Sequence, residues 1–238
     1  MSIATNLGRV LDSVEQAARV AGRSPAEIVV VAVSKKKPLE DLLGYEKAAR
    51  ERGVLCVFGE NYLQELKVKR QSMGSAVIFH MIGPLQSNKV RDAVLCSDVI
   101  ESVHSQKVLA LIAESACKLG KRQKIMLQVN IGSDPAKSGF DPAHVEEAIR
   151  LAHDARESIE LVGLMTITPY EAEPESSRKF FQAMRTLRDD LLSKGLAECF
   201  AASRVLLSMG MSGDYTIAIQ EGADIVRVGT AIFGARES

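Results

Sequence analysis

"IVVVAVS", residues 28–34, is a short unbroken apolar run rich in valine. A strand with one wet face alternates apolar and polar residues, whereas an unbroken run suits a parallel strand covered on both sides. The pattern recurs, and strands are expected near 28–34, 55–58, 77–82, 98–102, 124–131, 160–167, 205–209 and 225–229. Helical periodicity fills the gaps: Val145, Ala148, Ile149 and Ala152 make one stripe, and Val108, Leu111, Ile112 and Leu119 another. Gly53, Gly120, Gly195 and Gly222 each fall between a helical segment and the next strand, where glycine accepts the left-handed conformation that closes a helix. Eight strands alternating with helices over roughly 200–250 residues is the stoichiometry of an α/β (β/α)8 TIM barrel. A doubly wound open sheet is the alternative, weakened by the lack of a G-x-G-x-x-G after the first strand.

Upstream of that strand, Ile3, Leu7, Val10, Leu11, Val14, Ala17, Ala18 and Ala21 fall at helical spacing, with Asp12, Glu15, Gln16 and Arg19 opposite. This predicts an extra N-terminal amphipathic helix, not a signal peptide. No linker rich in Pro, Gly or Ser divides the chain, so residues 1–238 read as a single domain able to bury a large core. Thirty basic residues balance thirty acidic ones, which argues against a nucleic-acid partner. No apolar run approaches the roughly 20 residues of a membrane span. Cys56, Cys96, Cys117 and Cys199 form no C-x-x-C pair and the four histidines are equally dispersed. Neither a disulfide framework nor a metal site is expected, and a cytoplasmic location follows.

In a barrel, chemistry gathers where strands end and the βα loops begin. The uncommon residues collect there in seven segments: Lys35–Lys37, "GEN" at 59–61, His80 with "IGPLQSNK", Asn130, "LMTI", "SMGMSGD" and "RVGTAIFG". The last two carry glycines and small hydroxyl residues, leaving backbone N–H groups free at helix starts, as in many phosphate sites. Met209-Gly210-Met211-Ser212-Gly213 and Gly229-Thr230 fit that pattern, although tight turns alone would use the same glycines. The lysines read three ways: surface charge, a phosphate partner, or an amine nucleophile for a carbonyl ligand. Alternation puts Lys35 and Lys37 on one face and leaves open which face looks into the barrel. Lys137, on the loop after strand 5, reads first as a solvated lysine, with approach to the site as a secondary ligand acceptor the alternative.

Taken together, "AVSKKKP", "FGENYLQE", "HMIGPLQSNK", "LSMGMSGDYTIAI" and "VRVGTAIFGARE" resemble the pyridoxal-phosphate homeostasis protein family, also called the proline-synthetase co-transcribed homologue family. The resemblance runs from residue 32 to residue 237. It implies a barrel like the N-terminal domain of alanine racemase, the fold type III of pyridoxal-phosphate proteins. It further implies that Lys35 carries pyridoxal 5'-phosphate as an internal aldimine and that Arg227 lies beside the pyridine nitrogen. Ser212, Gly229 and Thr230, with Met209 in the same segment, match the phosphate-binding positions, and Asn61 is expected near the ring. A guanidinium only donates hydrogen bonds, so the facing nitrogen would stay unprotonated and the ring would be a weak electron sink.

The expectation is therefore a cytoplasmic, monomeric, non-catalytic protein that buffers the cofactor or delivers it to recipient apoenzymes. The alternative is a pyridoxal-phosphate-dependent amino-acid racemase, which needs acid–base groups on both faces of the planar intermediate. In alanine racemase one of them comes from a second domain and partner subunit, for which a chain of 238 residues has no room. His80, Tyr62 or Tyr215 would have to substitute. A cofactor-free Schiff-base aldolase would leave Arg227 and the two phosphate loops without a shared explanation.

Overall fold

The computed structural model describes residues 2–169 and 173–234. It opens with α1 (Ile3–Val20), then β1 (Val29–Val33), α2 (Leu39–Glu51), β2 (Val57–Glu60), α3 (Leu63–Ser72), β3 (Ile78–Met81), α4 (Val90–Cys96) and β4 (Val99–Val103). The alternation continues with α5 (Gln106–Lys118), β5 (Gln123–Gln128), α6 (Val145–Asp154), β6 (Ile159–Met165), α7 (Arg178–Ser193), β7 (Leu206–Met211), α8 (Tyr215–Gln220), β8 (Ile225–Val228) and the short α9 (Thr230–Phe233). The strands pair in parallel in chain order, and β8 closes onto β1. This is the TIM barrel, with the extra N-terminal helix, that the sequence predicts.

All eight strands fall where the apolar runs place them, with ends shifted by a few residues. The largest difference is at β5, expected to reach residue 131, which ends at Gln128. The Asn130 side chain there takes the Asp134 N–H and donates to the Asp134 carbonyl, folding the chain into a turn. Gly53, Gly120, Gly195 and Gly222 all have positive φ, between +60° and +98°, as the helix-closing role requires.

Alternation along the strands separates two layers. Val31, Val57, Val99, Met126, Met165 and Ile225 meet inside the barrel, while Val30, Ala32, Phe58, Phe79, Leu207, Met209, Val226 and Val228 face the helices. Helix α1 starts at a Ser2 cap on the Thr5 N–H and buries Leu7, Val10 and Val14. It packs against α2, α8 and α9, on the side of the barrel. No helix among the described residues is long and apolar enough to cross a membrane.

Candidate functional site

The strand ends carry a cavity of about 530 Å³ lined by Val33, Lys35, Asn61, Ile82, Ile167, Met211, Ser212, Gly213, Arg227, Gly229 and Thr230. That size suits a small molecule. Six of the seven residues expected around a ligand thus come together: Lys35, Asn61, Ser212, Arg227, Gly229 and Thr230. Met209 is the correction. It is fully buried among the helix-facing residues, because Ser208 takes the inward position on β7 and the pleat sends its neighbour outward. Two residues further on, Met211 reaches the cavity. Sequence reading missed Val33 as well, although it is two residues before Lys35 and so on the same side.

Closure of the barrel settles the orientation of the lysines. Val31 is inside, so Val33 and Lys35 follow it inward while Ala32 and Ser34 turn toward the helices. Lys36 is exposed and has φ +59°, so strict strand alternation has ended there. Its N–H donates to Glu65 Oε2 at 2.7 Å. Lys37 swings away and donates through Nζ to the Phe233 carbonyl at 3.0 Å, tying the β1 loop to α9.

Beneath the cavity four strands contribute a buried polar layer. Arg227 donates through Nη1 to Ser208 Oγ and through Nη2 to the Thr166 carbonyl, each at 2.6 Å. Ser208 donates onward to Glu101 Oε2 at 2.6 Å, and His80 Nδ1 meets Glu101 Oε1 at 2.5 Å. Burial pushes the Glu101 carboxyl up, but the His80 hydrogen bond and the nearby His80 and Arg227 charges outweigh it and hold Glu101 below the usual carboxylate range. Burial likewise pulls the Arg227 guanidinium below its ordinary value, against the opposing charges of Glu101 and Asp214. Arg227 remains a cation. The guanidinium is thus oriented by two acceptors and neutralised at 3.9 Å by Glu101.

The glycine loops after β7 and β8 lie side by side. Ser212 Oγ accepts from the Gly229 N–H at 3.1 Å and from the Ala231 N–H at 3.5 Å. Asp214 Oδ1 takes the Met211 N–H at 2.7 Å and shapes the first loop. Lys137 departs from the solvated reading. Its ammonium bridges to the loop after β6, donating to the Ile167 and Thr168 carbonyls, with Asp134 at 3.9 Å. Burial lowers its pKa from the usual lysine value. All four cysteines are free, and burial pushes the Cys56 thiol up to about 12, far from a reactive thiolate.

An amine and a guanidinium facing one strand-end cavity, flanked by two glycine-hydroxyl loops, place the chain among the barrels that hold a small anionic ligand. The family profile described as "Alanine racemase, N-terminal domain" matches residues 6–237. A pyridoxal phosphate homeostasis protein of Pseudomonas aeruginosa is 37% identical over 99% of this chain and 96% of its own. One of Aquifex aeolicus is 33% identical over 100% of both. Among solved structures, PipY of Synechococcus elongatus with PLP bound is 30% identical at a TM-score of 0.81, covering 98% of this chain and 100% of PipY. The chain belongs to the pyridoxal phosphate homeostasis protein family, within the alanine racemase N-terminal domain fold.

Proposed function

We propose that this chain binds pyridoxal 5'-phosphate in the Lys35–Arg227 cavity and serves intracellular homeostasis of that cofactor, holding it and handing it to apoenzymes. The observation that carries this reading is the composition of the cavity wall. Among its described residues Lys35 and Arg227 are the only titratable side chains and no carboxylate is present, which suits an anionic aldehyde. Bound, the cofactor supplies an aldehyde that condenses reversibly with an amine, releasing water, and a phosphate ester dianion. Lys35 offers the amine from the β1 end. The Ser212 hydroxyl, itself held by the Gly229 and Ala231 N–H groups, would hold the phosphate together with Thr230. Arg227, which can only donate, would keep a facing ring nitrogen unprotonated, and Asn61, on the same wall, would lie near the ring. The relatives named for this role and the PLP-bound PipY structure support the assignment.

Buffering and delivery fit the wall better than racemisation does. His80 is engaged with Glu101 below the cavity, Tyr215 is buried against the core, and Tyr62 is 47% exposed. None of the three lines the cavity, so a second acid–base group opposite Lys35 has no supplier among the described lining residues. A monomer working in a reducing cytoplasm completes the reading, in keeping with the free cysteines.

The test is a titration of the purified protein with pyridoxal phosphate, followed by borohydride reduction and peptide mapping. Visible absorbance and a label on Lys35 are expected. No uptake, or a label that bypasses Lys35, would overturn the assignment. Incubating the loaded protein with L-amino acids should yield no D-isomer, and mixing it with a cofactor-free aminotransferase should restore activity. Steady racemisation would favour the enzyme.

A further inference from the structure

The wall behind Lys35 holds a second charged cluster, separate from the layer under Arg227. Lys69 comes from α3, yet its ammonium is turned in against the barrel and is only 8% exposed. It donates to the Ser34 carbonyl at 2.7 Å, to Glu60 Oε1 at 2.6 Å and to Glu65 Oε2 at 3.0 Å. All three protons of an ammonium are thereby used. Glu60 ends β2 facing outward and is fully buried. Its Oε1 also takes the Ser34 hydroxyl at 2.5 Å, while Oε2 is buried without a hydrogen-bond partner among the described residues. Glu65, one helical turn before Lys69, takes the Lys36 N–H at 2.7 Å on the same Oε2 that Lys69 holds.

The cluster therefore grips the chain immediately before and after Lys35. The Ser34 carbonyl and hydroxyl are both engaged by it, and the Ser34 N–H goes to the Gly59 carbonyl at 3.1 Å. On the other side it holds the Lys36 N–H, at a residue whose left-handed φ of +59° is unfavourable for a lysine unless its surroundings impose it. With both neighbours fixed, the Cα–Cβ bond of Lys35 has one direction, into the cavity. An amine must be aimed at a carbonyl to within tenths of an ångström to condense well.

We propose that Glu65 and Lys69 are positioning residues for Lys35: through the Lys36 N–H and the Ser34 carbonyl they hold the turn that aims its amine at the ligand's aldehyde. This rests on the cofactor reading above. It predicts a selective defect, because ring and phosphate contacts lie elsewhere on the wall.

The experiment compares pyridoxal phosphate, which can condense with Lys35, with pyridoxamine phosphate, which has the same ring and phosphate but no aldehyde. Glu65→Ala should weaken retention of pyridoxal phosphate ~10-fold, the factor set by one hydrogen bond to a charged group, and leave pyridoxamine phosphate within ~2-fold of the parent. Glu65→Gln keeps one amide oxygen where Oε2 now serves both donors and should restore pyridoxal phosphate binding. Lys69→Met should behave as Glu65→Ala if it folds; the half-exposed Glu65 variants carry the test if it does not. Equal loss of both ligands, no loss of either, or failure of the glutamine to rescue would overturn the proposal. A parent protein that takes up neither compound would defeat the cofactor reading itself.

Discussion

Arg227 shows how a single buried charge is made tolerable. A guanidinium fully inside a barrel would be costly unless paired, and here Ser208, the Thr166 carbonyl and Glu101 share it. Ser208→Ala leaves Arg227 Nη1 and Glu101 Oε2 each short of a partner, and should destabilise by ~1–3 kcal/mol in urea unfolding. Unchanged stability would mean that the network does not orient Arg227. Glu101 also gives the fold an acid limit. Its folded-state pKa lies below the ordinary value of 4.5, so its contribution is full above that pH and is lost as pH falls through the lowered pKa. Glu101→Gln should therefore be less stable than the parent near pH 7, by a gap that narrows as pH falls below 4.5. Glu60, whose burial raises its pKa against the Lys69 and Ser34 hydrogen bonds, acts in the opposite sense. Measuring the difference between variant and parent removes that term. A gap constant with pH would refute the assignment.

At the scale of elements, the site depends on loops that touch without spare room. A Cβ on Gly83, just past β3, would stand 2.2 Å from the Asn61 carbonyl oxygen, a backbone atom that cannot swing aside. Gly83→Ala must push the β2–α3 turn away from the β3–α4 loop, moving Asn61 at the cavity edge. A loss of ~1–3 kcal/mol is expected from the overpacking, and pyridoxal phosphate retention should fall with it. A normal melting temperature with normal retention would show that the two loops separate freely. The "GEN" and "IGPLQSNK" segments were legible as strand-end features, but their mutual contact was not, since nothing in a linear pattern says which loops abut.

For the whole molecule, α1 is joined to the site as well as to the core. Its Asn6 side chain donates to the Ile232 carbonyl of α9 at 2.9 Å, and Leu7 is fully buried. Leu7→Ala should cost ~2–5 kcal/mol by thermal or urea unfolding, the usual range for such a cavity. Ligand linkage adds a second whole-molecule expectation. Pyridoxal phosphate at about 100 times its Kd should add ~2.7 kcal/mol of apparent stability, and Lys35→Ala should lose most of that gain. A variant with the full gain would show that Lys35 contributes little to binding.

The amino-acid sequence by itself determined the barrel. Unbroken valine-rich runs, helical stripes and four helix-closing glycines are local signals, and each agrees with the element that forms. It also marked the strand ends where Lys35, Asn61, Ser212, Arg227, Gly229 and Thr230 converge. The tertiary structure alone decided which way each side chain points. Alternation says which residues share a side, and only closure of β8 onto β1 makes one of those sides the inside. That choice sent Met209 outward and Lys35 inward. It also assembled His80, Glu101, Ser208 and Arg227 from four strands, and Ser34, Glu60, Glu65 and Lys69 from two elements, β2 and α3, and the turn after β1. Such clusters leave little trace in a linear pattern, because their hydrogen bonds join residues as far apart as 107 positions and depend on burial that exists only once the barrel has closed.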